Sequence, residues 1–117
     1  MALLNQEQGS GVVSEALGEG AAISAVNLSE VVAKIADTGT SEAIIRSALS
    51  RLNIDIIPFD AELAYLAGLL RPPTRQAGLS FGDRACLAVA QQLGAEALTT
   101  DRAWVDLQLD VPIRLVR

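Results

Sequence analysis

Histidine is absent from this chain of 117 residues, cysteine occurs once, at Cys86, and lysine once, at Lys34. Without histidine and with one thiol, disulfide frameworks, His/Cys zinc sites, Ser-His-Asp triads and Cys-His dyads are all excluded. Aromatic residues are nearly as scarce: Phe59, Tyr65, Phe81 and Trp104. Long apolar runs are missing too. The longest, Ala85 to Ala90, falls far short of the roughly 18 residues of a membrane-spanning helix. No basic start leads into a long apolar stretch, so no secretory signal is read and a cytoplasmic location is expected. Positive charge is short: 9 Lys and Arg stand against 14 Asp and Glu, a net charge of -5. Proteins that coat nucleic acid draw their affinity from basic surface, so that class is disfavoured. An enzyme that meets phosphate through a bound cation is not, because the cation supplies the charge locally.

What the chain has is apolar substance. Hydrophobic residues make up 50% of it, enough to bury a core in a single domain. Ser10 caps an expected helix over Gly11 to Leu17, ended by Gly18 and Gly20. Ala21 to Ser24 reads as a short buried strand, Leu28 to Ala36 as a helix stopped near Gly39, and Ser41 to Leu52 as a further helix. Asn53 to Pro58 is β-branched and strand-like, and Asp60 caps a helix through Leu70 whose stripe is Leu63, Leu66, Ala67 and Leu70. Arg71 to Gly78 reads as a loop. Ser80 opens a nearly all-apolar helix to Leu93, with Gly94 placed for a left-handed terminus. Ala97 to Thr99 is a strand, Asp101 to Val105 a helical turn and Ile113 to Val116 a closing strand. Strands alternating with helices predict an α/β fold, a mainly parallel sheet with helices on both faces.

In open α/β sheets ligands bind beyond the carboxyl ends of the strands. Glu30, Asp83 and Asp101 all fall at that edge: Glu30 just after the strand at Ala21 to Ser24, Asp101 just after Ala97 to Thr99, and Asp83 on the first turn of its helix. Carboxylates without His or Cys suit Mg²⁺ or Mn²⁺ and phosphoryl chemistry. The same residues also read as helix caps. Asn27-Leu28-Ser29-Glu30 and Ser80-Phe81-Gly82-Asp83 resemble capping boxes, and Asp101 can cap its own turn.

Asn27-Leu28-Ser29-Glu30-Val31-Val32, Leu79-Ser80-Phe81-Gly82-Asp83-Arg84-Ala85-Cys86-Leu87-Ala88 and Leu98-Thr99-Thr100-Asp101-Arg102-Ala103-Trp104 closely resemble the PIN-domain toxins of the VapC type. The likeness runs over essentially the whole chain. It implies one PIN-like domain over residues 1–117, three-layered α/β/α, and a metal-dependent endoribonuclease of a toxin–antitoxin pair. It further implies Glu30, Asp83 and Asp101 as catalytic and metal-holding acids for Mg²⁺ or Mn²⁺, Thr99 and Thr100 as hydroxyls near the site, a cognate antitoxin, an RNA substrate and a homodimer. One departure stands out. The family begins with a central strand ending in an aspartate, whereas no Asp precedes Asp37 here, and Leu3-Leu4 is too short for a core strand. The chain thus resembles a family member truncated before its first strand and first catalytic acid, with Glu7 poorly placed as a substitute. An open central position in the sheet, low stability and impaired cleavage are the expectations.

Two other functions compete. A non-catalytic PIN-like protein would keep the antitoxin-binding surface alone. A phosphoacceptor signalling domain needs a lysine after a late strand, and Lys34 lies too early. Arg84 and Arg102 each follow a candidate ligand, and either contacts RNA phosphates or packs against a helix. Cys86 and Trp104 read as core residues, Lys34 as a solvated helix position and Arg75 as solvated loop.

Overall fold

The chain alternates strand and helix because its apolar residues switch between a period of two and a period near 3.6. A computed structural model describes residues 3–5 and 21–116 of it. The expected helix at Gly11 to Leu17, its Ser10 cap and Glu7 lie outside the described residues. The elements are strands β1 (Leu3–Asn5), β2 (Ala21–Ser24), β3 (Ile54–Ile57), β4 (Glu96–Thr99) and β5 (Ile113–Leu115), and helices α1 (Ala25–Ala36), α2 (Glu42–Ser50), α3 (Ala61–Leu69), α4 (Arg71–Thr74) and α5 (Phe81–Leu93), with a 3₁₀ turn at Arg102–Trp104.

The strands form one sheet in the order β3-β2-β1-β4-β5. β2 and β3 pair in parallel, as do β4 and β5, whereas β1 is antiparallel to both β2 and β4. Four strands therefore share one direction and β1 alone opposes them. The central position expected to stand open is filled. Leu4 pairs with Ala22 on one side and with Ala97 on the other. Three residues suffice there because both neighbouring strands otherwise present unpaired backbone groups inward, and one short strand satisfies both rows. Its direction departs from the mainly parallel arrangement expected of the sheet. Leu3, its first residue, lies nearest the carboxyl ends of β2 and β4.

Alternation along the strands assigns the two faces. Ala22 and Ala97 join Leu63, Ala67, Leu87, Val89 and Trp104 in the larger core, where α5 and α3 cover the sheet. Ala21, Ile23 and Leu98 join Val116 in a smaller core on the other face, packed by Val31 of α1 and by Ile54. This is the three-layer α/β/α arrangement. α5 carries six consecutive residues, Ala85 to Ala90, at no more than 1% exposure, which is why its sequence is apolar nearly all round. It ends at Gly94 with φ 63° and ψ 34°, the left-handed conformation that a residue without Cβ adopts freely.

The stretch expected as a loop at Arg71 to Gly78 begins instead with a helical turn, α4. Pro72 and Pro73 fit it because a first turn leaves its N–H groups without intrahelical partners, and proline presets the helical φ. Thr74, fully buried, closes it by donating from Oγ1 to the Leu70 carbonyl at 2.7 Å. Helix α2 stops two residues before Leu52, and α1 starts three residues before Leu28.

Candidate active site

The early start of α1 decides how its acid is held. Ser24, at the carboxyl end of β2, is the N-cap, and its hydroxyl accepts from the Asn27 backbone N–H at 3.1 Å. The capping box expected at Asn27 to Glu30 is therefore not formed, because a serine already stands at the strand's end. Asn27 instead sits inside the first turn, 4% exposed, and its amide is fully used. Its Oδ1 accepts from Ser24 Oγ at 2.8 Å, while Nδ2 donates to Glu30 Oε1 and to the Gly82 carbonyl, each at 3.0 Å. Glu30 is thereby laid against the start of α5. A Cβ added at Gly82 would collide with the Glu30 carboxylate, so the glycine makes room for that acid.

Asp83 enters on the first turn of α5, in the capping box expected from the sequence. Asp83 N–H donates to Ser80 Oγ at 3.1 Å, and Ser80 N–H donates to Asp83 Oδ2 at 2.9 Å. Asp101 follows β4. Its Oδ1 accepts from Ala103 N–H at 2.9 Å and caps the 3₁₀ turn, while its own N–H donates to Oγ1 of the buried Thr99 at 3.0 Å. Trp104, 1% exposed, anchors that turn in the core.

Glu30, Asp83 and Asp101 line one cavity of about 690 Å³, together with Asn27, Val31, Ala33, Lys34, Ile35, Thr99, Thr100 and Trp104. Three acids from three separate segments share a single opening at the edge where β2 and β4 end. Each has one oxygen engaged by a nearby N–H. An all-oxygen donor set is the chemistry that a hard divalent cation takes. Among the described residues, however, no three His, Cys, Asp or Glu side chains stand close enough to hold one ion together. The acids share a cavity without forming a closed cage.

Of the other expected contacts, Thr99 and Thr100 reach the cavity, and Arg84 and Arg102 are not among the residues lining it. Arg84 Nη1 donates to the Ala67 carbonyl at 3.0 Å and its guanidinium lies 5.8 Å from the centre of the Phe81 ring. It ties α5 to α3. Asn27 and Lys34 were not singled out for the site from sequence, yet Asn27, Glu30, Val31 and Lys34 follow the i, i+3, i+4, i+7 spacing of one helix face. That spacing was the available signal. Cys86 is a core residue: burial, and then the negative field of Asp83, push its thiol up to about 12. It is no nucleophile at neutral pH.

No curated protein and no solved structure matches the chain at a significant level. The family model of the PIN domain matches residues 1–108. Together with the α/β sheet and the acids at its carboxyl edge, that match shows that the chain belongs to the PIN domain family.

Proposed function

We propose that the acidic cavity is the active site of a metal-dependent endoribonuclease, a VapC-type toxin that acts in the cytoplasm and is held in check by a cognate antitoxin. The PIN domain points to a nuclease-type function, and PIN domains are generally divalent-metal-dependent nucleases. The observation that carries the reading is the meeting of Glu30, Asp83 and Asp101 in one cavity. In this reading residues 1–117 make one PIN-like domain, working as a homodimer on RNA. Mg²⁺ or Mn²⁺, when bound, supplies Lewis-acid activation of water and offsets charge on the phosphodiester. Glu30, Asp83 and Asp101 are the groups that would hold it. Asn27 fixes the carboxylate of Glu30, and Thr99 fixes the backbone of Asp101, so both acids are oriented before substrate arrives. Thr100 offers a hydroxyl to the substrate.

The test is cleavage of RNA by the purified chain with Mg²⁺ or Mn²⁺. Cleavage should vanish with a chelator and in Glu30→Gln and Asp83→Asn. Cleavage that survives both substitutions would place the chemistry elsewhere. One observation favours a second reading, a non-catalytic PIN-like protein that binds an antitoxin or another partner: no three described acids form a metal-holding group. A folded chain that cuts no RNA with either metal would establish that reading over the first.

A further inference from the structure

The cavity carries an uneven charge for a site that meets a polyanion. Three carboxylates line it, and Lys34 is the one cationic side chain among the lining residues. Lys34 is also the only lysine in the chain. It stands one helical turn beyond Glu30 on α1, in the order that favours a Glu–Lys pair on a helix. That pair is not made. Arg46 pairs with Glu42 and Arg114 with Glu96, while Glu30 is taken by the Asn27 amide. Lys34 is exposed at the cavity, and its ammonium has no partner among the described residues. The arginine nearest in sequence to an acid of α5, Arg84, is committed to the Ala67 carbonyl instead.

We propose that Lys34 is the phosphate contact of this site: its ammonium pairs with a backbone phosphate of RNA lying across the cavity, beside the acids. This role rests on the nuclease reading above. A structural alternative exists, because Lys34 lies in the last turn of α1, where a cation complements the helix dipole. That role affects stability and leaves RNA affinity alone.

The two separate by salt dependence. A labelled single-stranded RNA is titrated with the full chain by fluorescence anisotropy across a range of salt, with Ca²⁺ in place of Mg²⁺. Each phosphate contact on a single strand adds about 0.7 to the slope of log affinity against log salt. Lys34→Gln should lower that slope by about 0.7 and weaken binding by up to about fivefold, as expected for one exposed ion pair. Lys34→Arg should restore both, and Arg102→Gln should change neither. Thermal melting checks that each variant is folded. A Lys34→Gln slope equal to that of the unmodified chain overturns the assignment to Lys34 and leaves the nuclease reading standing. An unmodified chain that neither binds nor cuts RNA overturns both.

Discussion

Asn27 is the residue whose replacement reads out most directly how the candidate site is built. In Asn27→Leu the side chain keeps its branching and its number of heavy atoms and loses all three of its hydrogen bonds. The loss falls unevenly. Glu30 is exposed, so water replaces the amide at its carboxylate and little stability is lost there. Ser24 is fully buried, and its hydroxyl, which donates to Asn27 Oδ1 at 2.8 Å, is left with no acceptor. A buried polar group stranded in this way costs about 1–3 kcal/mol, or roughly 8 °C in melting temperature at the middle of that range. Ser24→Ala should cost a similar amount, because it removes the α1 cap as well. The double variant strands nothing at that pair and should cost less than the sum of the two by about 1 kcal/mol. Urea denaturation followed by circular dichroism gives all three values. Additivity within about 0.4 kcal/mol, or an Asn27→Leu cost below about 0.5 kcal/mol, would refute the reading of Asn27 as the buried joint of this site.

Further outcomes follow from the same geometry. Gly82→Ala should separate fold from function: a helical Gly→Ala change gains up to about 1 kcal/mol and the collision falls on the movable, exposed Glu30 side chain, so melting should hold or rise while RNA cleavage falls; Gly68→Ala, with open space around it, is the control that leaves cleavage unchanged. Trp104 is buried and its indole N–H has no acceptor among the described residues, so Trp104→Ala should cost about 3–5 kcal/mol and Trp104→Phe much less, by denaturant titration. Millimolar Mn²⁺ should raise the melting temperature by binding linkage, and Asp101→Asn should abolish that rise. Cys86 gives a pH dependence whose sign is fixed: its thiol is held up at about 12 in the folded chain against an ordinary 9.0, so the unfolded chain loses its proton first and the folded state loses stability as pH rises from about 9 towards 12. Cys86→Ala should flatten that part of the stability profile.

Local chemistry was legible in the sequence and tertiary commitments were not. The Ser80–Asp83 box, the Asp60 and Asp101 caps and the Gly94 terminus depend on residues within a few positions of one another, and each stands where the pattern put it. The helix α1 starts before its expected position because Ser24 serves two elements, ending β2 and capping the helix, and the alternating pattern claims it only for the strand. Pro72 and Pro73 read as breakers because their tolerance in a first turn depends on where that turn begins. Arg84 could not be assigned between phosphate and packing, since the carbonyl it binds lies 17 residues away on another helix. Lys34 reads as solvent-facing on its own helix, and its neighbours in the cavity come from α5 and the end of β4.

The cavity does not depend on the direction of the antiparallel central strand. β2 and β4 both run antiparallel to β1, so they run parallel to each other and end at the same edge. The acids at that edge are carried by α1, by the start of α5 and by the turn after β4, none of which depends on the direction of β1. What β1 contributes is spacing: paired on both sides, it sets β2 and β4 two strand intervals apart, about 9.5 Å. Glu30 is tied through Asn27 to Gly82 at the start of α5, whereas Asp101 is held beyond the end of β4 by Thr99 and Ala103. Separate anchors, one on the helix after β2 and one on the turn after β4, account for acids that share a cavity without closing a cage, and β1 fills the sheet position between those two strands.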